Sequence, residues 1–236
     1  MVRNKKLAIC TIIMIGLIQW SCSSQTSASN DQQVRDETRF PEAVIHELEN
    51  MYDDDQFLRF TEGYIEEWLN ELRETKGEDD PTFQLVAEKH KMAEKEFTEQ
   101  DEKNAKRLDE IFGRYGWPDR SVTSRMANKT AFLIVQHNFE IQEKYLPVML
   151  ESAKKGETPA GYVAYLQDRI LMKNGEPQLY GSQMLILNGE QFLWPIADME
   201  KVNERRKEMG LSTLEEAFDG TIPEVLEEGQ VTFSFK

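Results

Sequence analysis

Apolar positions are spread unevenly along the 236 residues. Residues 7–18 (LAICTIIMIGLI) form an apolar-to-neutral run, and residues 23–33 (SSQTSASNDQQ) are small and polar. A helical period begins at Phe40-Pro41-Glu42, with Val44, Ile45, Leu48, Met51 and Tyr52 on one stripe. A second helix is predicted from about Asp55 to Glu74, carrying Phe57, Phe60, Tyr64, Ile65, Trp68, Leu69 and Leu72. Residues 76–80 are a polar break. A third helix starts near Pro81 and sets Phe83, Val86, Ala87, His90, Ala93 and Phe97 on one face. Thr98 followed three residues later by Asp101 resembles a capping box, opening a fourth helix with Leu108, Ile111, Phe112 and Tyr115. Gly116-Trp117-Pro118 stops it, because glycine suits a helix C-terminus and proline cannot continue one.

Beyond residue 116 the texture changes. Ala131-Phe132-Leu133-Ile134-Val135 is an apolar run that Asn128 and Gln136-His137 extend into a buried helix, with a strand as the alternative. A helix is expected over residues 140–155, ended by Gly156, and another from Thr158-Pro159 to Gly175. Residues 184–187 and 190–194 flank Asn188-Gly189, a hairpin signal because this pair accepts the positive φ angles of a tight turn. A charged helix is expected from Asp198 to about Met209. Ser212 with Glu215 caps a short one, and Val231, Phe233 and Phe235 alternate as a strand would. The predicted fold is mainly α with a small antiparallel β-hairpin or sheet near the C-terminus. The predicted organisation is a leader over 1–22, a tether over 23–39, a helical region over 40–97, a domain over 98–218 and a tail over 219–236.

Charge and the leader narrow the setting. The net charge is −15, so a phosphate backbone is repelled and nucleic acid is not an expected partner. Arg3, Lys5 and Lys6 precede the apolar run, whose length falls short of the roughly 20 residues a spanning helix needs. The pattern is that of an export signal. Ser21-Cys22 resembles the end of a bacterial lipobox, although Gln19 and Trp20 depart from the usual aliphatic and small residues. On this reading Cys22 is acylated and becomes the N-terminus, and the polar stretch after it is a flexible tether. Ordinary secretion is the alternative. Loss of residues 1–22 removes three basic residues and no acidic one, so the acyl chain and not a basic patch must hold the membrane. The expected location is the cell envelope, on the periplasmic or outer-membrane side.

Several motifs occur in a fixed order: Gly116-Trp117-Pro118, residues 131–137 (AFLIVQH), Tyr145-Leu146-Pro147, residues 164–170 (AYLQDRI), residues 178–183 (QLYGSQ), Pro195-Ile196, and Glu204-Arg205-Arg206 with Gly210-Leu211. Together they resemble a bacterial family classed only as a domain of unknown function, often carried by exported or lipid-anchored proteins. The resemblance covers about residues 100–218. It implies that these polar positions belong to a shared domain; no activity, fold or ligand comes with it.

Within that domain, His137 is the first candidate, since an imidazole titrates near neutrality. It can serve as a general base or ligand, or hold a carbonyl at a helix end. Asp168 and Arg169 are adjacent in a helical pattern and point about 100° apart, so at least one faces inward and needs a partner. The functional reading pairs Asp168 with His137, or Arg169 with an anion; the structural one makes an interhelical ion pair. Gln136, Gln178, Tyr180 and Gln183 are ligand-binding candidates, with Gly181 marking a bend; a network tying sheet to helices explains them equally. Arg205 and Arg206 suit a carboxylate or phosphate, or local neutralisation. His90 reads as a satisfied core histidine, and His46 as part of a solvated face near Glu42 and Glu49.

The chain has no nucleophile elbow, zinc-protease signature, phosphate loop or dinucleotide fingerprint. Two cysteines and three scattered histidines argue against a dedicated transition-metal site, and no cofactor is expected. Two functions remain open. One is a membrane-tethered binding or interaction module for an envelope ligand or protein. The alternative is an envelope hydrolase with His137 as base, Asp168 as orienting acid, and water or Ser182 as nucleophile.

Overall fold

The computed structural model describes residues 40–187 and 190–229. The leader with Cys22, the tether, the Asn188-Gly189 turn and the strand expected at Val231, Phe233 and Phe235 lie outside these residues. The chain divides into two compact units, the first ending at Val163 and the second starting at Ala164.

The first unit is helical: α1 (Glu42–Thr75), α2 (Pro81–Tyr115), α3 (Arg125–His137), α4 (Gln142–Lys154) and the start of α5 (Ala160–Lys173). Where two helices were predicted before residue 75, there is one. The expected boundary falls at about Asp55, yet Asp55 is turned inward at 2% exposure and the helix passes through it. The predicted cap at Thr98 is also helix interior. Its hydroxyl donates back to the Glu94 carbonyl at 2.9 Å, a local bond that lets serine and threonine sit inside helices. α2 starts where Asp80 accepts a hydrogen bond from the Thr82 amide at 2.7 Å with Pro81 in the first turn. α1 packs on α2 and α3. Leu69 and Leu72 meet Phe83 and Val86 next to the α1–α2 connection, and Leu48, Leu108 and Ile111 are fully enclosed.

The turn after α2 is built into this core. Gly116 takes φ +81°, which allows Trp117 to fold back beside Phe112 and Tyr145, with ring centroids 5.0 and 6.4 Å away. The Trp117 indole donates to the Thr158 hydroxyl at 2.9 Å, and Asn128 donates to the same oxygen at 2.8 Å. Asn128 also reaches the Pro118 carbonyl at 3.0 Å. Buried polar atoms need such partners, and one threonine hydroxyl serves two donors here. The Gly-Trp-Pro motif thereby acquires a packing reason.

The second unit carries the rest of α5, then β1 (Met184–Leu187), β2 (Glu190–Leu193), a 3₁₀ turn (Met199–Lys201), α6 (Val202–Glu208), α7 (Leu214–Ala217) and β3 (Glu224–Val225). β1 and β2 pair antiparallel, Met184 opposite Leu193 and Leu187 opposite Glu190, which leaves two residues for the turn. The predicted antiparallel hairpin is thus present, and β3 joins β2 in parallel to make a three-stranded mixed sheet. The reason is the chain's route, which returns to the open edge of β2 by way of α6 and α7 and not through a hairpin. α7 starts on a capping box of Thr213 and Glu216, one residue later than predicted. Leu185, Trp194, Met172 and Leu226 form one core patch, and Leu193, Val202 and Leu214 a second.

Candidate functional site

Two polar clusters collect most of the candidate residues, one in each unit. In the second unit, Asp168 on α5 is fully buried. Its Oδ1 accepts hydrogen bonds from the amides of Leu179 (2.7 Å) and Tyr180 (3.0 Å). Its Oδ2 accepts from the Ser182 amide at 3.0 Å and the Ser182 hydroxyl at 2.8 Å. Burial pushes this carboxyl up and these donors oppose the push, with burial the larger. Gly181 sits at φ +67°, the conformation that points successive amides at one carboxylate. A Cβ there would lie 2.8 Å from Leu214 Cδ1.

The same loop is held from its carbonyl side. Arg205 Nε donates to the Leu179 carbonyl at 2.7 Å, and Arg206 Nη1 to the Tyr180 carbonyl at 2.6 Å. Arg206 also reaches the Ser212 carbonyl at 2.6 Å. Gln178 donates to the carbonyls of Gln183 and Trp194 at 3.0 and 2.8 Å and accepts from the Gln183 amide at 2.8 Å. Arg169, 8% exposed, donates to the Gln183 side chain at 3.5 Å. The Tyr180 hydroxyl donates to Gln167 at 3.1 Å. Local neutralisation of the two arginines by acids was one expectation; those named bonds run instead to backbone carbonyls. The cluster clamps residues 178–183, with a carboxylate on the amides and guanidinium groups on the carbonyls.

In the helical unit, His137 closes α3 with its side chain 10% exposed. Its Nδ1 lies 2.9 Å from Oδ1 of Asp55, whose side chain is 1% exposed. Arg59, one turn along α1, contacts Asp55 at 3.4 Å and both oxygens of Asp101 at 2.7 and 2.8 Å. Its guanidinium carbon lies 4.3 Å from the Phe97 ring centroid. The chain His137–Asp55–Arg59–Asp101 therefore joins α3, α1 and α2. Gln136 is buried beside it, its carbonyl accepting from Gln142 at 2.6 Å. Burial raises the Asp55 carboxyl, but the bond and charge of His137, followed by the charge of Arg59, outweigh it and bring it down to about 2.

Each member of the expected His137–Asp168 pair has partners within its own unit. His137 has Asp55 in the orienting position, and Asp168 has the loop amides. The sequence carried a signal for Asp55: it continues the Leu48, Met51 and Tyr52 stripe, so an acid there faces inward. His46 lies 3.2 Å from Glu49 and 3.7 Å from Glu42, as its solvated face implied. His90, expected as a satisfied core residue, has its Nε2 closed from water without a hydrogen-bond partner. It stands with Glu62 and Glu94 in a cluster whose spacing suits a metal ion.

A family model described as a family of unknown function (DUF6624) matches residues 71–222. Neither the curated proteins nor the solved structures compared with the chain gave a match. The matched stretch holds His90, His137, Asp168 and the clamped loop; Asp55 and Arg59 precede it.

The Asp55 pair has a pH signature. The folded carboxyl titrates near 2 against about 3.9 in an unfolded chain, so its stabilisation is complete above pH 4 and is lost as pH falls through 2. Asp55→Asn is expected to unfold more easily at pH 7 by about 2 kcal/mol, with the gap from the parent closing between pH 4 and 2. Denaturant titrations across this range read it, and a gap that stays constant with pH would contradict the assignment.

Proposed function

The chain belongs to the DUF6624 family of unknown function, and on that premise we propose that it is a lipid-anchored protein of the bacterial cell envelope whose helix α1 carries a partner-binding face. The observation that carries the reading is a row of aromatic side chains in water. Phe57, Phe60, Tyr64 and Trp68 are 70%, 68%, 61% and 49% exposed. Their spacing of three, four and four places them on one helical face. Each exposed ring forgoes about 2 kcal/mol of burial, and a contiguous row of them marks an interaction surface.

Charge identifies the kind of partner. Asp53, Asp54, Glu67 and Glu71 are exposed on or beside the row. An acidic rim repels a second copy and anionic headgroups alike, and favours a polypeptide face that combines apolar side chains with lysine or arginine. The row precedes the matched residues 71–222. The leader and Cys22 support export and lipid attachment, and no described helix is long and apolar enough to cross a membrane. The hydrolase alternative gains nothing from the side chains named for it, since Ser182 donates to Asp168 and His137 meets Asp55.

Cys22→Ser is expected to leave the protein exported but released from membranes on fractionation; a mutant that stays with the membrane would remove the lipid anchor. A photo-crosslinking amino acid at Phe60 in intact cells is expected to join the chain to a different protein, while the same group at Lys173 does not. Crosslinks to lipid, to a second copy or to nothing would each contradict the partner surface.

A further inference from the structure

α1 and α2 lie against each other as consecutive helices, and their contact holds a group of side chains that the proposed function does not use. Glu62 and Glu66 are one turn apart on α1, and His90 and Glu94 one turn apart on α2, so each pair shares a helical face. One donor atom each from Glu62, His90 and Glu94 falls within 4.8 Å of the other two. All three residues are half-buried. Two further observations point to something missing: His90 Nε2 and Glu66 Oε2 are both sealed from water and lack a hydrogen-bond partner. A buried polar atom left that way is costly, and an unsatisfied imidazole nitrogen inside a set of carboxylates calls for a ligand.

We propose that Glu62, His90 and Glu94 form a binding site for a divalent first-row transition ion such as Zn²⁺ or Mn²⁺, with Glu66 as an additional carboxylate. The chemistry selects the class. Imidazole favours such ions over Mg²⁺ and Ca²⁺, and the lack of a thiolate in the set disfavours soft ions. Donors placed tetrahedrally about 2.1 Å from one ion stand about 3.4 Å from each other, so gaps within 4.8 Å close by at most about 1.4 Å, through rotation of the glutamates. Electrostatics agrees: Glu62 is pushed up by burial and by the neighbouring Glu94 and Glu66, with His90 and Arg59 opposing. A doubly charged cation relieves that crowding. Bundles hold metals in this way, with carboxylates and histidines from facing helices. The ion would bind α1 to α2 and so brace the helix that bears the aromatic row.

Counting histidines in the sequence hid this set, because one imidazole suffices when a helix hairpin brings carboxylates to it. The full-length protein, stripped with a chelator and dialysed, is titrated with Zn²⁺ and with Mn²⁺ by calorimetry, and its melting temperature is followed. One ion per chain at micromolar affinity or better is expected for at least one of the two, with a rise in melting temperature. His90→Gln and Glu62→Gln should each weaken binding at least ten-fold while keeping the parental circular dichroism spectrum. His46→Gln, beside Glu42 and Glu49 on an exposed face, should leave binding unchanged and serves as the control. Absence of binding by both ions, binding that survives His90→Gln, loss of binding in His46→Gln, or equal affinity for Mg²⁺ would each overturn the site. If His90→Gln does not fold, the Glu62→Gln titration decides alone.

Discussion

A carboxylate sealed from water must be met by donors from the protein itself, and that requirement governs both units. Asp55 is enclosed among three helices and is carried there by His137 and Arg59. Asp168 is enclosed under a loop and is carried there by backbone amides and one hydroxyl. Removing donors from a buried charge costs several kcal/mol, so each acid fixes the position of whatever surrounds it. In one unit that is the meeting of α1 and α3; in the other it is the conformation of residues 178–183.

This changes what the polar motif residues mean. Gln178, Gln183, Arg205 and Arg206 have the chemistry of a ligand pocket, and their hydrogen bonds satisfy backbone groups of one loop. Gly181 belongs to the same device, because its positive φ turns the amides toward Asp168 and leaves no room for a side chain. The features this bonding leaves unused lie elsewhere, in the exposed aromatic row of α1 and in the buried, unsatisfied His90 and Glu66 atoms. Both arise in the long α1–α2 hairpin.

Much of the fold was legible in the sequence. The Gly116 stop, α3 as a buried helix, the ends of α5 at Pro159 and Gly175, and the hairpin register all follow from caps, breakers and period. A boundary was expected at about Asp55 and a cap at Thr98; the inward pairing of Asp55 with His137 carries α1 through the first, and the local bond from Thr98 to the Glu94 carbonyl keeps the second inside α2. The parallel strand β3 is two residues long and depends on a distant edge, which no local pattern records. The candidate residues were recognised individually, but their partners were not. His137 finds Asp55 at a separation of 82 residues, and Glu62 meets His90 across a helix hairpin.

The claim at the centre is that a buried carboxylate holds the motif loop in place. Equilibrium urea unfolding of Asp168→Asn tests it most directly. The substitution keeps the shape but sets an amide NH₂ against the Ser182 donors, and the account predicts a loss of about 3 kcal/mol with exchange protection lost at Leu179, Tyr180 and Ser182. A variant as stable as the parent, with those amides still protected, would contradict it.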